Sequence, residues 1–182
     1  MSDPLSPLPP HAPEPPGLTT RLLLPEAEDT ARLGVWLASR LSAGDVVLLE
    51  GPIGAGKSHL ARALIRARLG YDEDIPSPTF TLVQVYETLG ADGSDGPEIW
   101  HADLYRLGHP DEVLELGLDA AFQTGICLIE WPDRLGALVP ADAISLRLSS
   151  LPAAEGRLAI LTAAPGLAAD LRRDWAGFVQ HD

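Results

Sequence analysis

Eight residues, Gly51-Pro52-Ile53-Gly54-Ala55-Gly56-Lys57-Ser58, constrain this chain's folding options more than any other stretch. They satisfy the pattern G-x-x-x-x-G-K-[ST]. Before them runs the continuous apolar segment Val46 to Leu49, and after them Arg62 to Leu69 reads as a helix that stops at Gly70. An apolar run without a polar face suits a strand covered on both sides, and the glycines behind it exclude a helix. In such a strand, turn and helix, the glycines let backbone N–H groups turn inward around phosphate oxygens. The positive end of the helix adds to that field. Lys57 would then reach the β- and γ-phosphates of a nucleotide, and Ser58 would hold Mg²⁺ through its hydroxyl. Lys57 is also the only lysine in the chain. Elsewhere the sequence uses arginine, whose broad planar fork does not replace a compact ammonium.

Composition narrows the setting. A chain of 182 residues suits one folded domain, and with 46% hydrophobic residues it needs no disulfide or metal to hold a core. Its single cysteine, Cys127, lies in an apolar run, which excludes an internal disulfide and leaves no cluster for structural zinc. The 13 Lys+Arg against 26 Asp+Glu give a formal net charge of -13, and such a surface repels nucleic acid and anionic membrane. No apolar stretch of about 18 residues is available to span a bilayer. The first residues lack the basic and apolar parts of a secretory signal, so a cytoplasmic protein is expected. Pro4, Pro7, Pro9, Pro10, Pro13, Pro15 and Pro16 favour extended backbone and cannot build a core. Residues 1–20 are therefore expected to form a disordered Pro-rich leader before a domain over 21–182.

From Arg21 onward the apolar spacing alternates between two periods. Leu22 to Leu24 predicts a short strand. Pro25 with Glu26, Glu28 and Asp29 suits a helix start, and Leu33, Leu37 and Leu41 follow at one-turn spacing as far as Gly44. Phe80 to Tyr86 and Glu98 to Asp103 read as strands on either side of the turn-rich Gly90 to Pro97, and Ile126 to Ile129 is a second buried run. Ile144, Leu146 and Leu148, then Leu158 and Ile160, alternate as half-buried strands do. A last helix would present Leu167, Leu171, Trp175 and Phe178 to the sheet. These elements predict an α/β architecture, the P-loop nucleotide-binding fold.

The chain lacks the Asn-Lys-x-Asp element of guanine recognition and the Leu-Ser-Gly-Gly-Gln stretch of transporter ATPases, and no Arg-rich lid marks a small-molecule kinase. ATP is the expected ligand. Glu130 ends the apolar run Ile126 to Ile129, and Asp103 sits in His101-Ala102-Asp103-Leu104-Tyr105-Arg106. Acids at strand ends beside a phosphate loop are where Mg²⁺ is held or the attacking water is oriented. His101 is as compatible with supporting Asp103 or capping the hairpin as with moving protons. Arg62 and Arg66 read as a solvated helix face, and Trp36 and Trp175 as core or interface anchors.

Four segments together resemble the small bacterial ATPases of tRNA threonylcarbamoyladenosine biosynthesis, the TsaE family. They are Gly51 to Ser58, Ser77-Pro78-Thr79-Phe80-Thr81-Leu82-Val83, His101 to Arg106, and Glu130-Trp131-Pro132, in matching order and spacing between about Pro25 and Arg157. The resemblance implies a mixed central sheet flanked by helices. It also implies an ATPase subunit that works with a threonylcarbamoyl transferase and its inactive paralogue, meeting tRNA only through that complex. The competing classes are a stand-alone small-molecule kinase and a nucleotide-gated binding module.

Carried over, the resemblance makes Ser58 and Glu130 the Mg²⁺ ligands, and Asp103, Glu130 and Lys57 the catalytic groups. Gly51, Gly54, Ala55, Gly56, Lys57, Ser58, His59, Thr79, Trp131 and Arg157 become the nucleotide contacts. Ser77 to Thr81 resembles a switch loop, and Thr30 to Gly34 resembles the helix start near the adenine. The chain departs from the family pattern at Pro52, where an acid is usual, at Ser58, which replaces a threonine, and at His59, which stands where a second threonine meets the α-phosphate.

Overall fold

Alternate residues of one strand feed two separate cores. In β2 (Val46–Glu50), Val47 and Leu49 belong to one buried cluster while Val46 and Leu48 belong to another. This is why the run carries no polar face. The computed structural model describes residues 17–72, 74–90, 92–151 and 155–180. Residues 1–16, which hold the prolines of the expected leader, lie outside the described residues. The domain nonetheless starts earlier than residue 21, because β1 (Leu18–Leu24) pairs along its whole length with β7 (Arg157–Ala163).

The remaining elements are α1 (Ala27–Ala38), α2 (Lys57–Leu69), β3 (Val83–Tyr86), β4 (Ile99–Asp103), α3 (Asp111–Glu115), α4 (Leu118–Thr124), β5 (Ile126–Glu130), β6 (Ile144–Ser150) and α5 (Pro165–Asp174), with a kinked 3-10 segment over Pro132–Leu138. The strands form one seven-stranded mixed sheet in the order β1-β7-β6-β2-β5-β4-β3. Its centre is parallel, with β2 between β5 and β6 and β4 beside β5. Its flanks, β1 with β7, β7 with β6, and β3 with β4, are antiparallel. Leu33 and Leu37 of α1, Leu60, Leu64 and Ile65 of α2, and Leu171 of α5 cover one face. Val113, Leu118, Phe122 and Leu135 cover the other.

Helices α1 and α2 pack with little space between them. A Cβ at Gly34 of α1 would stand 2.5 Å from the Leu60 carbonyl oxygen of α2, so only glycine permits that approach. The Asp29 carboxylate accepts the Glu26 N–H at 3.1 Å and ties down the start of α1.

Four expectations need correction. The first helix ends at Ala38 rather than running toward Gly44; Leu41 keeps its buried place from a turn whose N–H reaches the Leu37 carbonyl. Trp175 and Phe178 follow α5 instead of lying in it, and meet edge to face at 5.0 Å. In β7 the core side is Ala159, Leu161 and Ala163, while Leu158 and Ile160 are only half-buried. The strand expected from Phe80 begins at Val83, because Leu82 takes a left-handed φ of 64° and closes a turn onto the Pro78 carbonyl.

Candidate active site

Parallel pairing decides which side chains can meet. Val46 to Leu49 of β2 pair with Cys127 to Glu130 of β5, so the loop leaving β2 and the acid ending β5 emerge at the same sheet edge. Asp103 stands directly opposite Glu130 across the β4–β5 ladder. Strand alternation puts His101, Asp103 and Glu130 on the face that α2 covers, the same side as Ile99 and Leu128.

The loop between β2 and α2 takes φ of 137° at Gly51, 80° at Gly54 and 104° at Gly56, values that side chains rarely adopt. Ala55 is buried between them, and its carbonyl accepts the Arg157 Nε–H at 2.8 Å. Lys57 opens α2 with its ammonium donating to the Gly51 and Pro52 carbonyls at 2.7 and 2.9 Å. The same ammonium lies 4.5 Å from the centre of the Trp131 ring, a cation over an aromatic face. Burial pulls the Lys57 ammonium below the ordinary lysine range, against the opposing pull of Glu130 and then Asp103.

The Ser58 hydroxyl donates toward both carboxylate oxygens of Glu130, each 3.0 Å away. Thr79 donates to Asp103 Oδ2 at 3.2 Å and shares a 2.9 Å hydroxyl contact with Ser77, so the loop expected to switch is tied to Asp103. The other Asp103 oxygen accepts the Tyr105 N–H at 3.1 Å. The Tyr105 ring lies 4.9 Å from the ring of Trp131, which holds an uncommon left-handed φ of 58°.

Most of the residues singled out in the sequence therefore share one edge: the loop glycines, Ala55, Lys57, Ser58, Thr79, Asp103, Glu130, Trp131 and Arg157. The side chain of His59 does not join them. It is exposed, and its Nε2 donates to the Ala27 carbonyl at 3.1 Å, leaving only its backbone N–H toward the loop. Thr30 is fully buried in α1, with no hydrogen-bond partner for its hydroxyl among the described residues. Arg62 returns its Nε–H to the Ser58 carbonyl at 3.0 Å, and Arg66 faces Asp72, so neither is a bare docking patch. Among the described residues the His101 side chain hydrogen-bonds to neither Asp103 nor the hairpin. Its Nε2 lies 2.8 Å from Glu130 Oε1. Tyr105 was also missed as a site residue, although its place two residues after Asp103 was visible.

A hydroxyl and a carboxylate are hard oxygen donors. That set fits Mg²⁺, which takes one or two carboxylates with substrate phosphates and keeps several waters. Among the described residues no three His, Cys, Asp or Glu side chains gather as a metal cage, so phosphate and water would supply the other ligands.

The sequence model described as "Threonylcarbamoyl adenosine biosynthesis protein TsaE" matches residues 24–157. A curated relative from Rickettsia felis, named tRNA threonylcarbamoyladenosine biosynthesis protein TsaE, is 37% identical over 141 residues, 78% of this chain and 79% of its own. Relatives of the same name from Nostoc and Treponema pallidum are 41% and 35% identical, covering 64% and 69% of this chain and 70% and 87% of theirs. The crystal structure of Bacillus YdiB superposes with a TM-score of 0.67 over 88% of this chain and 96% of its own; at 24% identity it speaks to the fold alone.

Proposed function

This chain belongs to the TsaE family of threonylcarbamoyl adenosine biosynthesis proteins, and from that premise we propose that it binds Mg-ATP at the Gly51 to Ser58 loop and hydrolyses it as a subunit of a tRNA-modifying complex. The partners in this reading are a threonylcarbamoyl transferase and its inactive paralogue, which carry the tRNA contact in the cytoplasm. Hydrolysis is slow alone and stimulated by them. The observation that carries the reading is convergence: Lys57, Ser58, Asp103 and Glu130 come from three elements to one edge of the sheet.

The residues divide the work. Inward N–H groups of the loop and the start of α2 hold the phosphates. Lys57 leaves the Gly51 and Pro52 carbonyls to neutralise charge on the terminal phosphates, and Ser58 with Glu130 supplies the protein's oxygens to the metal. When bound, Mg²⁺ withdraws charge from the phosphoryl oxygens. Asp103, coupled to Thr79, orients the attacking water and reports the state of the switch loop. The acidic surface of this subunit leaves nucleic-acid binding to its partners.

The test is reconstitution with both partners, tRNA, ATP and the threonylcarbamoyl donor. Threonylcarbamoyladenosine should form over repeated cycles only when this chain is present, and ATPase should rise on adding partners. Full modification without this chain, or phosphate transfer to a metabolite instead of water, would contradict the reading.

A further inference from the structure

We propose that His101 is a positioning residue for the metal site, holding Glu130 by one hydrogen bond so that its carboxylate faces Ser58. The inference rests on the reading of Ser58 and Glu130 as Mg²⁺ ligands. It assigns the work of orienting that ligand to a group on the neighbouring strand.

Three observations carry it. First, His101 is wholly buried and Glu130 nearly so, which places their contact away from bulk solvent. Second, the contact is short, 2.8 Å from His101 Nε2 to Glu130 Oε1, and that oxygen is also one of the two the Ser58 hydroxyl approaches. Third, the register permits it. His101 pairs with Leu128, two residues short of the Asp103–Glu130 pair, so the imidazole reaches diagonally along the same face to the acid. Unrestrained, the Glu130 carboxylate, carried on a flexible side chain, would sample many orientations. A buried imidazole on the neighbouring strand removes most of them.

Geometry also selects the tautomer. Only a protonated Nε2 can donate to the carboxylate. His101 Nδ1 is buried with no partner among the described residues, so a proton there would have nothing in the protein to donate to. The ring is the Nε2–H tautomer, with its lone pair turned into the fold.

The test compares His101→Met, which fills the space and removes the donor, with His101→Gln, whose amide N–H takes the place of Nε2–H. ADP affinity is measured by calorimetry across a Mg²⁺ titration and again in chelator. His101→Met should need about tenfold more Mg²⁺ for its tight ADP state, the scale of losing a group that orients a metal ligand. Its chelator affinity should be unchanged, and His101→Gln should stay near wild type. Wild-type Mg²⁺ dependence in His101→Met, or equal losses in both variants, overturns the inference. If the wild type itself shows no Mg²⁺ dependence, the reading of Ser58 and Glu130 falls and takes this inference with it. Long-range proton–nitrogen NMR of the wild-type imidazole stands independent of how the variants fold: an Nε2–H tautomer supports the proposal and an Nδ1–H tautomer overturns it.

Discussion

The Ser58 hydroxyl sits between the two carboxylate oxygens of Glu130, 3.0 Å from each, joining the start of α2 to the end of β5. In the proposed function a divalent cation takes oxygens from both. Ser58→Ala should therefore raise the Mg²⁺ required for tight ADP binding by about tenfold or more, whereas Ser58→Thr, which keeps the hydroxyl, should stay close to wild type. Calorimetry with and without chelator separates the two.

Lys57 should set the pH dependence of nucleotide binding. Only the protonated amine neutralises phosphate, and burial lowers its pKa from the ordinary 10.5 despite Glu130 and Asp103. ADP affinity measured without Mg²⁺ should thus hold at low pH and fall as pH rises through that lowered value, earlier than an ordinary lysine would give. Lys57→Ala should flatten this profile and weaken binding by about tenfold or more, the scale of one hydrogen bond to a charged group.

At the α1–α2 contact, Gly34→Ala forces a methyl group into the Leu60 carbonyl. Neither helix can yield without disturbing the core beneath it, so thermal unfolding should report a loss of about 1–3 kcal/mol, the usual scale of overpacking. Gly166, where an added Cβ meets nothing within 4 Å, is the matched control: Gly166→Ala should leave stability unchanged or slightly raised.

The phosphate loop, both buried strands and both acids were legible because each leaves a local signature. Lys57 has its one pattern, and Glu130 closes a run with no polar face. What escaped the sequence depended on pairing between distant segments. In β7, Leu158, Ala159, Ile160 and Leu161 are all apolar, so a period of two cannot say which parity faces the core; pairing with β1 and β6 decides it. His101 was visible, but its partner was not, because Glu130 comes beside it only through the parallel β4–β5 register. Leu41, Trp175 and Phe178 kept helical spacing because one-turn chain reversals imitate the period of a helix.

Cys127 offers an independent check on the sheet. It is fully buried in β5, and burial pushes its thiol up to about 12. The folded protein should show no reaction with a thiol reagent at neutral pH, and one equivalent should appear on unfolding. Prompt reaction of the native chain would mean that the β5 strand is not packed on both faces.

The division of labour between the two acids is decided by a Mg²⁺ titration of ADP affinity in Glu130→Ala and Asp103→Ala. Glu130→Ala should lose the enhancement by Mg²⁺, because it removes the carboxylate facing Ser58. Asp103→Ala should keep that enhancement; its deficit belongs to turnover, by about 10² or more, the scale of a lost positioning group. Loss of the Mg²⁺ effect in Asp103→Ala together with its retention in Glu130→Ala would exchange the two roles.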